Sequence, residues 1–290
     1  MRLSWRGGVK TLSHPRALGK ADARLAGIET GKRRHLRQIA VHRYVTPLRE
    51  GGSLPAVVEG DDLGLYVLKF RGAGQGARAL VAEWIGGEVA RALGLPMPEI
   101  VAATLDPILA STEGDPEIQD LIRASAGLNL ALDYLPGAVT FDPAVDVVDG
   151  ELASRIVWLD AFLSNVDRTA RNANMLMWHR KLWLIDHGAA LYFHHGWDGR
   201  DADPASRFPL IRDHVLLPYA DRIEAVDADC AARLGDDVLR DIVMQLPNEW
   251  LDGEGLLADP DAHRQAYLDY LIRRVAQRQG FVQEAINARA

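Results

Sequence analysis

Three polar groups fall close together in the second half of the chain: Asp167, then Asn172 five residues on, then Asp186 at the end of an apolar run. They lie in Asn165-Val166-Asp167-Arg168-Thr169-Ala170-Arg171-Asn172-Ala173-Asn174-Met175-Leu176 and in Leu184-Ile185-Asp186-His187-Gly188. An acid, an amide and a second acid in this order suit phosphoryl transfer. One carboxylate orients a hydroxyl nucleophile, while the amide oxygen and the other carboxylate hold magnesium on the phosphates.

Taken singly, each residue has a plainer reading. Asp167 lies between a helix and a strand, where a turn aspartate bonded to its own backbone is the commoner case. Arg168 and Arg171 can neutralise phosphate charge or simply be solvated. Asn172 has the spacing for a metal held near Asp167 and is favoured, but Asn174, just before Met175-Leu176, competes. Asp186 ends an apolar strand, where it can project into a cleft or cap the strand. His187 reads as a supporting residue and His194-His195 as a surface pair, with no zinc-type spacing around them.

The other half of such chemistry is a cation for the phosphates. Lys69, in Val67-Leu68-Lys69-Phe70, is flanked by apolar residues and needs an anion; a solvent-facing lysine on an edge strand is the alternative. A glutamate on the next helix would hold its ammonium. Periodicity places Glu88 inside the apolar stripe and Glu83 on the opposite face, so periodicity favours Glu88, where an unpaired carboxylate would be costly. Gly51-Gly52-Ser53 could bring backbone N–H groups to phosphates, but it lacks the P-loop form G-x-x-x-x-G-K-[ST] and reads equally as a turn.

The elements that must position these residues follow from pattern. Strands are expected over 39–47, 56–59 and 65–70, forming a small antiparallel sheet. A helix runs from about Ala77 to Leu93, stopped by Gly94-Leu95-Pro96. A strand over 99–105, a partly helical insertion at 116–123 and an edge strand over 128–135 complete a β-rich front part ending at Pro136-Gly137. From Glu151 the pattern is helical: a helix to about Ser164, a hairpin of 175–178 and 182–185, a loop at 196–209, and helices at 228–234, 236–245 and 260–279. The expected fold class is α+β, with a β-rich lobe and a helix-rich lobe meeting at a cleft.

Composition agrees with a folded, soluble chain: 290 residues, 48% hydrophobic and 25% charged. No apolar run approaches the roughly 18 residues of a membrane span. The single cysteine, Cys230, cannot form an intrachain disulfide and reads as an inert helix residue, so a reducing, cytoplasmic setting is expected. Net charge is −7; residues 1–38 carry ten Lys or Arg against two acids, so +8 falls there and −15 on residues 39–290. An acidic body argues against tight nucleic-acid binding. The basic segment 1–38 is expected to be a disordered leader, with a nucleic-acid arm or a targeting peptide as the other readings.

Together these stretches resemble the HipA-like kinases, a bacterial branch of the protein-kinase-like fold. The resemblance rests on Gly51-Gly52-Ser53-Leu54-Pro55, Tyr66-Val67-Leu68-Lys69-Phe70, Ala82-Glu83-Trp84 leading to Gly94-Leu95-Pro96-Met97-Pro98, Asp167 to Asn172, Ile185-Asp186-His187-Gly188 and Pro247-Asn248-Glu249-Trp250-Leu251. It covers about 39–290 and implies a bilobal fold, with an N-lobe over 39–137 and a C-lobe over 138–290. It further implies Lys69 on the ATP phosphates, Glu83 rather than Glu88 as its partner, Asp167 as catalytic acid/base, and Asn172 and Asp186 on Mg²⁺. Asp133-Tyr134-Leu135 would present backbone groups to adenine. The implied activity is ATP- and Mg²⁺-dependent transfer to a hydroxyl, foremost a protein serine or threonine. A small-molecule or lipid kinase and a non-catalytic ATP-binding regulator are the alternatives. The extra N-terminal subdomain of longer toxin members is not recognisable, so the toxin role and its antitoxin partner do not carry over.

Overall fold

The computed structural model describes residues 35–48, 54–195, 202–251 and 259–290. The glycine loop Gly51-Gly52-Ser53, residues 1–34 of the basic segment and the first part of the 196–209 loop lie outside the described residues. His35–Ala290 forms one compact unit.

The front part is a closed five-stranded barrel. β1 (Arg37–Pro47), β2 (Ala56–Gly60), β3 (Leu65–Lys69), β5 (Gly127–Asp133) and β4 (Ile100–Leu105) pair in that order. All neighbours are antiparallel except β1 and β4, which close the barrel in parallel from Arg37↔Val101 to Ala40↔Thr104. The first three strands pair antiparallel as expected, but 128–135 is not an edge strand, since β5 lies between β3 and β4. Closure removes the edges that an open sheet would have to protect.

Strand alternation sorts the side chains into two cores. Ile39, Val58, Tyr66, Leu68, Val101, Ala103 and Ala131 fill the barrel with Ile118 and Ile122 of helix α2 (Pro116–Ala124). The opposite faces of β4 and β5, with Ile100, Ala102, Leu130 and Leu132, pack on helix α1 (Ala77–Ala92). Lys69 pairs with Leu130 across β3 and β5, so period-2 alternation directs it out of the barrel towards α1.

Helix α1 is stopped as its sequence requires, with Gly94 at φ 80° just past its end. It is buried almost all round. On one side a Cβ at Gly87 would lie 2.4 Å from Ile100 Cδ1; on another, Trp84 Nε1 donates to Ile242 O at 2.8 Å. A helix enclosed on every side has no polar face, so its hydrophobic pattern cannot say which glutamate is inside.

The remaining elements are the short strand β6 (Val139–Thr140), helix α3 (Gly150–Leu163), the hairpin β7 (Met175–Trp178) and β8 (Lys181–Leu184), and helices α4 (Ile223–Arg233), α5 (Asp236–Val243), α6 (Pro260–Ala276) and α7 (Gln279–Arg289). α3 is capped by Asp149, which accepts from the N–H groups of Glu151 and Leu152, and ends at Ser164 in the left-handed region. β6 joins the hairpin as its third strand. The expected helix over 260–279 ends earlier, and a second helix, α7, follows it; no glycine or proline marks the break at Gln277-Arg278. Trp158, Phe162 and Phe281 pack together inside a core that α1 shares with the C-terminal helices. Buried Trp250 donates from Nε1 to Leu128 O at 3.1 Å, tying the C-terminal part to β5. Among the described residues no helix is long and apolar enough to cross a membrane.

Candidate active site

Lys69, Glu83 and Asp186 meet. Lys69 Nζ donates to Asp186 Oδ1 at 2.6 Å and lies 3.4 Å from Glu83 Oε2. Lys69 and Glu83 are 13% and 1% exposed and Asp186 is 40% exposed, so one ammonium joins a buried carboxylate to one open to solvent. Burial pulls the Lys69 pKa down, but Glu83 and Asp186 outweigh it and hold the ammonium charged above its ordinary range. Burial likewise opposes ionised Glu83, and Lys69, aided by His187, outweighs it to hold the carboxyl at about 2.

Glu88, which periodicity favours, is not the partner. It pairs with Arg91 at 3.0 Å, one helical turn on. The apolar stripe misplaced the glutamate because α1 has burial on every face.

Asp167 leads the loop between α3 and β7. Its Oδ2 accepts from Asn172 Nδ2 at 2.7 Å and from Asn174 Nδ2 at 3.2 Å, and its own N–H donates to Asn165 Oδ1 at 3.2 Å. The two asparagines differ in setting. Asn172 is exposed, with its Nδ2 committed to Asp167. Asn174 is buried with φ 49°, and its carbonyl accepts from Ile185 N at 3.1 Å and from Arg168. Asp186 also sits at positive φ, 56°, a conformation that costs a non-glycine residue about 1–3 kcal/mol and that the surroundings must enforce.

Arg168 holds the two groups together. It is not a solvated loop residue: its side chain is fully buried and pairs through Nε with Asp160 Oδ2 at 2.6 Å. One terminal nitrogen donates to the carbonyls of Asn174 and Ile185, and the other lies 3.1 Å from His187 Nε2. Asp160, on α3, also accepts from Asn165 Nδ2 at 2.8 Å and contacts His214 Nε2 at 2.9 Å. His214 Nδ1 accepts from Leu216 N–H, so the ring proton sits on Nε2 and is donated to Asp160. Burial opposes the ionised form of Asp160, but Arg168 and His214 outweigh it and hold its pKa well below the carboxylate range. Sequence reasoning did not single out Asp160 or His214. The available signal was a lone carboxylate within the apolar run Ile156-Val157-Trp158-Leu159-Asp160-Ala161-Phe162-Leu163.

At the connector, Asp133 N–H donates to Glu99 O at 2.8 Å and Tyr134 N–H to Leu65 O at 2.9 Å. Both are spent on the barrel. Leu135 N–H donates to no other group among the described residues. His194 is not a surface residue; it is buried, its Nδ1 lies 3.1 Å from Tyr267 Oη, and burial, with charge from His195 and Arg78, pulls its pKa to about 3. Cys230 is buried on α4, and burial pushes its thiol to about 11, so little thiolate forms at neutral pH. Among the described residues no three His, Cys, Asp or Glu side chains converge on a metal position. Magnesium does not require such a cage, because it keeps waters and phosphate oxygens around one or two protein ligands.

No curated protein matches the chain. Among solved structures it is similar to the Helicobacter pylori proinflammatory kinase CtkA, with TM-score 0.45 and 11% identity, over 85% of this chain and 96% of that one. It is also similar to the Golgi casein kinase, with TM-score 0.45 and 11% identity over 88% of this chain and 73% of that one. A Mn/ADP-bound form of the Golgi casein kinase gives TM-score 0.43 and 10% identity over 85% and 74%. The model of the HipA-like kinase family matches residues 41–281, which include the Lys69–Glu83–Asp186 contact and the Asp167 loop, and the chain belongs to that family.

Proposed function

We propose that this kinase is ATP- and Mg²⁺-dependent and transfers the γ-phosphoryl group to a hydroxyl, foremost a protein serine or threonine. The observation that carries this reading is the ammonium of Lys69 lying between Glu83 and Asp186. Such a cation, charged and fixed by a buried carboxylate, is placed to receive phosphate oxygens when they arrive. The barrel with α1 would act as an N-lobe over 39–137, residues 138–290 as a C-lobe, and the connector would offer Leu135 N–H to the base. Gly51-Gly52-Ser53 would cover the phosphates.

The oxygen donors fit magnesium. Asn172 is held on Asp167 through its Nδ2, so its Oδ1 would serve the ion, and Asp186 is partly exposed with Oδ1 on Lys69, so its Oδ2 would serve as well. When bound there the ion neutralises phosphate charge. Asp167 orients the acceptor hydroxyl and takes its proton as the hydroxyl oxygen bonds to the γ-phosphorus. The bond from that phosphorus to the β-phosphate oxygen breaks, and ADP leaves with the electron pair. Exposed Arg171 on the same loop can steady the phosphates or an anionic acceptor. The setting would be the bacterial cytoplasm, without nucleic acid or membrane as partner.

Incubation with Mg–ATP followed by intact-mass and peptide mass spectrometry tests the reading. A gain of phosphate on the protein or on a supplied protein acceptor is expected. ATP stabilising the protein with no phosphate on any protein, lipid or small-molecule acceptor would leave only a nucleotide sensor.

A further inference from the structure

His187 stands between two charged groups that come from distant parts of the chain. Its backbone N–H donates to Glu83 Oε2 at 2.9 Å. Its ring Nε2 lies 3.1 Å from a terminal nitrogen of Arg168. A guanidinium can only donate, so Nε2 accepts and the proton of the neutral ring sits on Nδ1. That Nδ1 faces Glu83 Oε1 at 3.8 Å.

Both facing atoms are buried, and among the described residues neither has a hydrogen-bond partner. Two unsatisfied polar atoms this close are costly, and a small movement of α1 would satisfy both. Glycine at position 86 is what permits the present close approach of α1, because a Cβ there would lie 2.6 Å from His187 Cβ. A glycine on the helix and an imidazole opposite it thus place a polar ring where an apolar one would serve packing alone.

We propose that His187 is a positioning residue that couples the Lys69–Glu83 pair to the loop carrying Asp167 and Asn172. It accepts from Arg168 through Nε2 and donates to Glu83 through Nδ1–H, and the second contact closes when phosphates occupy the site. The assignment rests on the kinase reading above for its consequence but not for its geometry. His187 touches no reacting atom; it sets where Glu83, and through it Lys69, stands relative to Asp167.

Two measurements on the full chain test this. Long-range ¹H–¹⁵N correlation on histidine-labelled protein reads the tautomer, with the His187 signals identified by their loss in His187→Gln. A neutral ring protonated on Nδ1 is expected; a proton on Nε2, or on both nitrogens, overturns the proposal. In phosphoryl-transfer assays, His187→Phe should change the Mg–ADP Kd by no more than about threefold and lower kcat by about tenfold or more. In a double-mutant cycle with Glu83→Gln the two losses should not multiply, because both act through one contact. Wild-type turnover in His187→Phe, or multiplied losses, overturns the coupling. If His187→Phe does not fold, His187→Leu, which likewise removes both ring contacts, takes its place in the cycle. If the native protein transfers phosphate to no acceptor, the kinase reading fails alone. The histidine tautomer, which needs no transfer assay, then decides whether Nδ1–H is available to Glu83.

Discussion

Lys69 Nζ and Asp186 Oδ1, from residues 117 apart in sequence, lie 2.6 Å from each other, and the same ammonium reaches buried Glu83 at 3.4 Å. The barrel strand β3, helix α1 and the end of the β7–β8 hairpin are therefore held at one point by charge. Glu83 is the group at greatest risk there, since its carboxylate is buried and depends on Lys69 to stay ionised.

Lys69→Met removes that support and is expected to lower stability by about 3–5 kcal/mol at neutral pH, the usual cost of an uncompensated buried charge. The sign of the pH dependence follows from Glu83. In the native protein its folded pKa, about 2, lies below the ordinary 4.5, so its contribution is present above 4.5 and is lost as pH falls towards 2. In the variant Glu83 loses its cation, and its pKa rises. The Tm gap between native protein and variant should therefore narrow as the pH is lowered from about 5 to 3. A gap independent of pH would show that Lys69 does not hold Glu83 ionised.

Asp167→Asn keeps the shape of a side chain that accepts from Asn172 and Asn174. It removes the group that takes the hydroxyl proton. Turnover should fall by about 10²–10⁴-fold while stabilisation by Mg–ADP is retained. Radiolabelled ATP and a thermal melt in parallel distinguish the two. Undiminished transfer would remove Asp167 from the proposed chemistry.

Asn172 and Asn174 should separate by their settings. Asn172→Ala removes an exposed amide, so its melting temperature should stay close to native while the Mg²⁺ concentration for half-maximal turnover rises about tenfold or more. Asn174→Ala puts alanine at φ 49° in a buried position and should cost about 1–3 kcal/mol of stability. Reversal of the two patterns would assign the metal to Asn174 and leave Asn172 as a turn residue.

The elements on either side of the site were readable in the sequence because their signals are local. Short apolar runs bounded by turn residues marked β2 and β3, and the glycine after Leu93 marked the end of α1. Barrel closure was not readable, since the β1–β4 pairing joins segments about 60 residues apart and no local pattern encodes it. Glu83 and Glu88 could not be ranked by periodicity on a helix enclosed on all sides; the resemblance of Glu83 and its neighbours to the family pattern did rank them. Asp160 and Arg168 escaped for a related reason. Asp160 drew no reading of its own within a helical run, Arg168 was read as a phosphate neutraliser or a solvated loop arginine, and their meaning lies in each other.

That pairing gives the last prediction. Asp160 accepts from Asn165, Arg168 and His214 at 2.8, 2.6 and 2.9 Å, with no exposure to solvent. Asp160→Asn keeps the volume but leaves the Arg168 charge buried without a counterion, and it presents an amide N–H to groups that are themselves donors. A loss of about 3–5 kcal/mol is expected, read as a lower Tm or urea midpoint. Because Arg168 also holds the carbonyls of Asn174 and Ile185, kcat should fall as well, although Asp160 touches no substrate. The carboxyl of Asp160 is held below its ordinary pKa, so its contribution is complete above the unfolded value and declines on acidification; the native–variant gap should shrink below about pH 4. A variant that melts with the native protein at neutral pH would mean that Arg168 finds another counterion, and that the loop carrying Asp167 is anchored by something other than α3.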